Sequence, residues 1–166
     1  MSIYYHRDTL SIRALDPQRL IALSQLSLAP EQTGFVESVA DCLADAQHDH
    51  RYVAAALCVD EQVVGFAMYG LFDEQHGPRV WFDRYFIGHR FQGQGLGRAF
   101  ATLMVHYLLQ HYQCQAIYLS VFAENLAAIA LYQDLGFCFN GELDYHGEQV
   151  MVFHANTHTP QWPITA

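Results

Sequence analysis

Three glycines at alternate positions, in Gln92-Gly93-Gln94-Gly95-Leu96-Gly97, stand between an apolar stretch ending at Ile87 and a segment whose apolar residues recur at helical spacing. Backbone N–H groups on such a turn are not screened by Cβ atoms, and a helix that follows directs the positive end of its dipole toward them. The pattern suits an anion. A pyrophosphate fits better than a lone carboxylate, because several donors can converge on its oxygens. Arg90 and Arg98 bracket the turn and can neutralise phosphate charge, with Arg98 the better ligand candidate. Glycine triplets also build plain tight turns, and surface arginines need no ligand. Two phosphate chemistries are disfavoured. A P-loop needs Lys-Ser/Thr after its last glycine, where this chain has Arg98-Ala99. The dinucleotide fingerprint starting from Gly93 and Gly95 needs glycine at position 98 and a place directly after the first strand.

Such a turn must be held by a strand before it and a helix after it. Arg79 to Ile87, with Val80, Trp81, Phe82, Tyr85 and Phe86, reads as a central strand. Leu96, Phe100, Leu103, Met104, Tyr107 and Leu108 give a long amphipathic helix. Upstream, Thr9 to Arg13 alternates as an edge-type strand does, and Asp16-Pro17 supplies an N-cap and first-turn proline for a helix to about Gln25. Phe35, Val36, Val39 and Leu43 mark a second helix, with Glu37, Asp41 and Asp45 on its polar face. Val53 to Val59 and Val63 to Leu71 read as a hairpin. After the long helix come a strand from Ala116 to Val121, a helix from Asn125 to Leu135 closed by Gly136, and a terminal hairpin of Phe137 to Leu143 with Gln149 to His154. The order β-α-α-β-β-β-α-β-α-β-β predicts an α/β (α+β mixed) fold, with a mixed central sheet of about six to seven strands flanked by about four helices. Residues 1–155 form its single domain, and 156–166 are expected to be a loosely ordered C-terminal tail.

Composition narrows the partners. With 166 residues, 52% hydrophobic and 15% charged, the chain has room for one packed core. Its formal net charge of -9, with only 8 Lys+Arg, repels a nucleic-acid backbone and favours a cationic partner. No apolar run is long enough to span a bilayer, and the first residues lack a basic region followed by an apolar one, so no membrane partner and a cytoplasmic location are expected. Cys42, Cys58, Cys114 and Cys138 are scattered without C-x-x-C spacing, and the 10 histidines form no H-x-x-x-H pair on a convincing helix, so no metal is expected.

With the glycine turn taken together with Asn125 and the run Ala128-Ile129-Ala130-Leu131-Tyr132-Gln133-Asp134-Leu135-Gly136-Phe137, the chain resembles the GNAT superfamily of N-acetyltransferases. Gln92 to Gly97 matches that family's Q/R-x-x-G-x-G/A loop, and the second run its N-x-x-A-I-x-L-Y-x-x-x-G-F signature. Asp83-Arg84-Tyr85-Phe86-Ile87 leading into Arg90-Phe91-Gln92-Gly93, with Gly141 to Asp144 and Val150 to Val152, is similar to bacterial spermine/spermidine and diamine acetyltransferases within it. The resemblance implies a GNAT-like fold, acetyl-CoA as cosubstrate and a homodimer. It implies that backbone atoms of Tyr85 and Ile87 pair with the pantetheine arm and that the N–H groups of Gly93 to Arg98 bind the pyrophosphate. Asn125 would contact the thiol end, Phe86 and Ala128 would line the cofactor, and Tyr132 would protonate the departing thiolate.

Acetyl transfer to an amine needs a neutral nitrogen, a polarised carbonyl and a protonated leaving sulfur. A phenol with a free pKa of about 10 is protonated at neutral pH, which suits Tyr132 as the acid; an ordinary core tyrosine is the plain alternative. Asp83 interrupts an apolar strand, and pairing with Arg84 is not expected to explain it, since successive strand residues point to opposite faces. It is read as drawing the substrate ammonium and relaying its proton, against a purely structural hydrogen-bonding role. The polyamine enzymes often have glutamate at this position, so the shorter side chain reaches less far. Glu31, with Glu37 and Asp41, can extend an acidic groove toward a second ammonium, and Tyr118 and Ser120 are further candidates to contact the amine. The acceptor can instead be an amino acid, an aminoglycoside or a peptide N-terminus. A non-catalytic acetyl-CoA-binding module would need neither Tyr132 nor Asp83.

Overall fold

The computed structural model describes residues 2–30, 34 and 38–155. Glu31, Phe35, Val36 and Glu37, named above, lie outside the described residues, as does the expected tail 156–166. The described chain runs β1 (Ile3–Arg7), β2 (Leu10–Ala14), α1 (Pro17–Ser24), α2 (Val39–His48), β3 (Tyr52–Val59), β4 (Gln62–Glu74), β5 (Gly77–Ile87), α3 (Leu96–Tyr112), β6 (Ala116–Val121), α4 (Leu126–Leu135), β7 (Cys138–Leu143) and β8 (Gln149–His154). Asp16 caps α1, its carboxylate accepting from Arg19 N at 2.8 Å, and Ser38 caps α2 by accepting from Asp41 N at 3.1 Å.

The strands form one eight-stranded sheet in the order β1-β2-β3-β4-β5-β6-β8-β7. The added strand is β1, a hairpin partner of β2 through a turn at Asp8 with φ of 52°. It moves β2 from the edge to the interior, between β1 and β3. There the polar residues of β2 are buried: Arg13 donates to Ser11 Oγ at 2.7 Å and Glu61 Oε2 at 3.2 Å, which satisfies its charge.

Helices cover both faces. On one side Phe100, Met104 and Leu108 of α3 and Tyr132 of α4 pack on Ala67, Tyr69, Val80 and Phe82 of β4 and β5. On the other, Leu23 of α1 and Cys42 of α2 pack on Phe66, Met68 and Phe86. Central β4 and β5 lie so close that Gly65 has no room for a side chain: a Cβ there would stand 2.5 Å from Phe86 O. Gly65→Ala is expected to destabilise the fold by about 1–3 kcal/mol, read as a lowered midpoint in urea unfolding.

Candidate active site

Strands β5 and β6 are parallel neighbours that pair at Val80↔Ile117 and Trp81↔Tyr118. Beyond those pairs β5 runs on to Ile87 and β6 to Val121, so the two strands diverge. Between them opens a cleft of about 940 Å³, lined by β5, the glycine turn, the end of β6, the start of α4 and the turn between β7 and β8.

The glycine turn closes one end. Gly88 N donates to Val64 O at 2.8 Å and Gln92 Nε2 to Ile87 O at 2.9 Å, which pins the corner between strand and turn. Gly93 (φ 77°) and Gly95 (φ 80°) take the left-handed conformation that glycine accepts at least cost. A Cβ at Gly93, Gly95 or Gly97 would meet no heavy atom within 4 Å, so these glycines keep space open. The first bond of α3 is Ala99 N to Gly95 O at 3.1 Å. The N–H groups of Leu96, Gly97 and Arg98 therefore have no acceptor inside the helix. The Tyr85 hydroxyl donates to Gly97 O and fastens this helix start to β5. Open space beside N–H donors without helical acceptors suits a diphosphate.

The Arg98 guanidinium pairs with Asp134 at 2.7 Å, with both side chains more than half exposed. Such a pair is worth about 0–1 kcal/mol and gives way easily to a ligand. Arg90 lies over the Phe91 ring, 4.5 Å from its centroid, and lines a separate smaller depression with Asp16 and Glu61. Gln92, Gly93 and Gly97 line the cleft, whereas Gln94, Gly95, Leu96 and Arg98 do not.

Asp83 is placed by a β-bulge. Met68 pairs with Arg84 and Tyr69 with Phe82, so Asp83 is the extra residue on β5. The bulge shifts the alternation by one: Phe82, Tyr85 and Ile87 all pack toward α3. It also corrects the expectation that Asp83 and Arg84 point apart, since Arg84 Nε lies 3.5 Å from Asp83 Oδ2 and both line the cleft. Arg84 Nη2 reaches Asp45 Oδ2 at 3.0 Å.

Tyr132 is buried between Phe82 and Phe137, with ring centroids 6.4 and 5.7 Å away, and it lines the cleft. Burial pushes its phenol well above the usual tyrosine range, so the hydroxyl carries its proton at every working pH. Asn125 caps α4 through Oδ1, which accepts from Ala128 N at 3.3 Å, and leaves Nδ2 as a donor at the cleft wall. Phe86, Ile87 and Ala128 line the same wall.

Of the acceptor residues expected from sequence, Ser120 lines the cleft and Tyr118 does not. Tyr118 sits on the paired part of β6, with its ring 5.6 Å from Trp81 and under Arg79. Asp41 accepts a hydrogen bond from Ser38 Oγ at 2.7 Å on α2. Among the described residues, the acidic wall of the cleft is formed by Asp83, Glu124, Asp144 and Glu148. Burial, then the hydrogen bond and charge of Asp144, push Glu148 up to about 7. Asp144 goes the other way: burial works to raise it, but the N–H of Glu148, its side-chain contacts with Glu148 and Ser120, and the N–H of His146 together hold it low. Sequence reading missed both, because their positions depend on β8 pairing alongside β6. The available signal was two acids four apart in the turn Asp144-Tyr145-His146-Gly147-Glu148. Among the described residues, no three His, Cys, Asp or Glu side chains converge on a metal position, and no helix is long and apolar enough to cross a membrane.

Residues 15–137 match the profile of the Acetyltransferase (GNAT) family. The chain is 44% identical over 148 residues to the spermine/spermidine N(1)-acetyltransferase of Bacillus subtilis, a match covering 87% of this chain and 97% of that protein. Among solved structures, Mycobacterium smegmatis RimJ in complex with CoA-disulfide superposes with a TM-score of 0.68 at 19% identity, over 92% of this chain and 84% of that one. The spermidine N-acetyltransferase of Vibrio cholerae in complex with CoA and spermine gives 0.66 at 19% identity, over 88% and 94%. These two likenesses are of fold.

Proposed function

The chain belongs to the GNAT family and is an acetyl-CoA-dependent N-acetyltransferase, and from that premise we propose that its acceptor is a polyamine or diamine such as spermidine or spermine. The amine attacks directly in a ternary complex and is acetylated on a primary nitrogen. The observation that carries the reading is the charge of the cleft. Among the described residues, Asp83, Glu124, Asp144 and Glu148 line it against one arginine, Arg84, which Asp45 and Asp83 already face. An acidic, half-enclosed groove concentrates a multiply charged cation. The 44% identity to a spermine/spermidine enzyme supports the same acceptor.

Acetyl-CoA supplies the acetyl group as an activated thioester. The N–H groups at the start of α3 hold its diphosphate, and the gap between β5 and β6 takes the pantetheine arm toward Tyr132. The Tyr132 hydroxyl donates to the leaving sulfur, while Asp83 draws the ammonium into the gap. Assembly as a homodimer belongs to the same proposal, with exposed Phe139 and Leu143 on edge strand β7 as apolar surface for a second copy.

Thiol release from acetyl-CoA, followed with spermidine, spermine, putrescine, amino acids and an aminoglycoside, tests the acceptor. Turnover with polyamines is the expected result; turnover confined to amino acids or aminoglycosides would overturn the reading. Asp83→Asn is expected to raise KM for spermidine about tenfold, the size of a lost charge-assisted contact, while affinity for acetyl-CoA stays unchanged.

A further inference from the structure

Glu148 stands one residue before β8, directly past the last β6–β8 pair, Val121↔Gln149. Its backbone is clamped on both sides by Asp144: Glu148 N donates to Asp144 Oδ1 at 2.9 Å, and Glu148 O accepts from Asp144 N at 2.9 Å. Its side chain is held by Ser120 Oγ, which donates to Oε2 at 3.3 Å. It is thus a fixed carboxylate at the mouth of the gap between β5 and β6, lining one cleft with Tyr132 and Asp83. We propose that Glu148 is the proton acceptor that converts the substrate ammonium to the attacking amine, an assignment that rests on the polyamine reading.

A base for this step must be ionised at working pH and still basic enough to hold a proton. Glu148 meets both demands, since burial and then Asp144 push it up to about 7. Asp83, the sequence-based candidate, is engaged instead with the Arg84 guanidinium. Among the described residues, the charged or titratable groups that line the cleft with Glu148 are Asp144, Tyr145 and His146 of its own turn, Asp83, Arg84 and Tyr85 of β5, Glu124 before α4, Tyr132 of α4 and Tyr52 of β3. Of these, Asp144 and Asp83 act to raise it, and the Ser120 hydroxyl acts to lower it. The step balances as follows. The ammonium gives one proton to Glu148, and its nitrogen lone pair forms the C–N bond as the C–S bond breaks. The sulfur takes a proton from Tyr132, which the nitrogen's surplus proton replaces, and Glu148 returns its own proton to solvent.

The test is the pH dependence of spermidine acetylation in wild type, Glu148→Gln, Ser120→Ala and Asp144→Asn. Wild-type kcat/KM should step upward with pH through about 7, before the further rise as the amine itself titrates. Glu148→Gln should lower kcat by about 10²-fold or more and erase the first step. Ser120→Ala removes an interaction that lowers Glu148, so the step should move to higher pH; Asp144→Asn removes one that raises it, so the step should move to lower pH. Unchanged coenzyme A affinity in each variant shows that it is folded. If Glu148→Gln keeps the step, or the neighbours do not move it in opposite directions, the assignment falls while polyamine acetylation stands. A wild type that acetylates no polyamine overturns the polyamine reading and this assignment together.

Discussion

Replacing Tyr132 with phenylalanine is expected to lower kcat by about 10²- to 10⁴-fold, the usual contribution of a positioned acid, with little change in KM for acetyl-CoA. The ring is held by Phe82 and Phe137 and would stay in place. No described residue hydrogen-bonds its hydroxyl, so deletion strands no buried partner, and stability should change by no more than about 0.5 kcal/mol. Because burial keeps the phenol protonated, the loss should be uniform across neutral pH. Thiol-release kinetics alongside urea unfolding checks both halves. A variant with full turnover would remove Tyr132 from the chemistry, and one that unfolds would mark it as a core residue.

Gly97→Glu separates binding from folding in the other direction. The new side chain would enter open space at the second residue of α3, since a Cβ at Gly97 meets no atom within 4 Å. Glutamate is a better helix former than glycine by up to about 1 kcal/mol, and its charge complements the helix N-terminus. Unfolding should therefore be unchanged or shifted to higher denaturant. Coenzyme A affinity should nevertheless fall at least about 100-fold, because a carboxylate roughly 4 Å from a phosphate costs about 4 kcal/mol at an intermediate dielectric. Gly97→Ala, which adds a methyl group and no charge, should lose far less. Equal affinities for the glutamate variant and wild type would place the diphosphate elsewhere.

The elements legible in the sequence are those set by near neighbours along the chain. Gly93 to Gly97 form a turn that opens a helix, and 3.6-residue periodicity marks the helix that follows Asn125; the roles expected for Asn125 and Tyr132 rest on the family resemblance. What depends on strand partners was hidden. β1 is defined by its pairing to β2, and its Ile-Tyr-Tyr-His-Arg carries no clear alternation. The bulge at Asp83 exists only relative to Met68 and Tyr69 on β4, so no inspection of β5 alone could place Asp83 beside Arg84. Glu148 owes its half-buried position to the β6–β8 ladder, which joins segments far apart in sequence, as well as to the local Asp144 turn.

The most direct measurement is mass spectrometry of spermidine after incubation with the purified protein and acetyl-CoA. Gain of a single acetyl group on a primary nitrogen, dependent on the protein and nearly abolished by Tyr132→Phe, is the expected result. Spermidine recovered unmodified, from protein that binds coenzyme A and transfers its acetyl group to some other amine, would contradict the polyamine assignment.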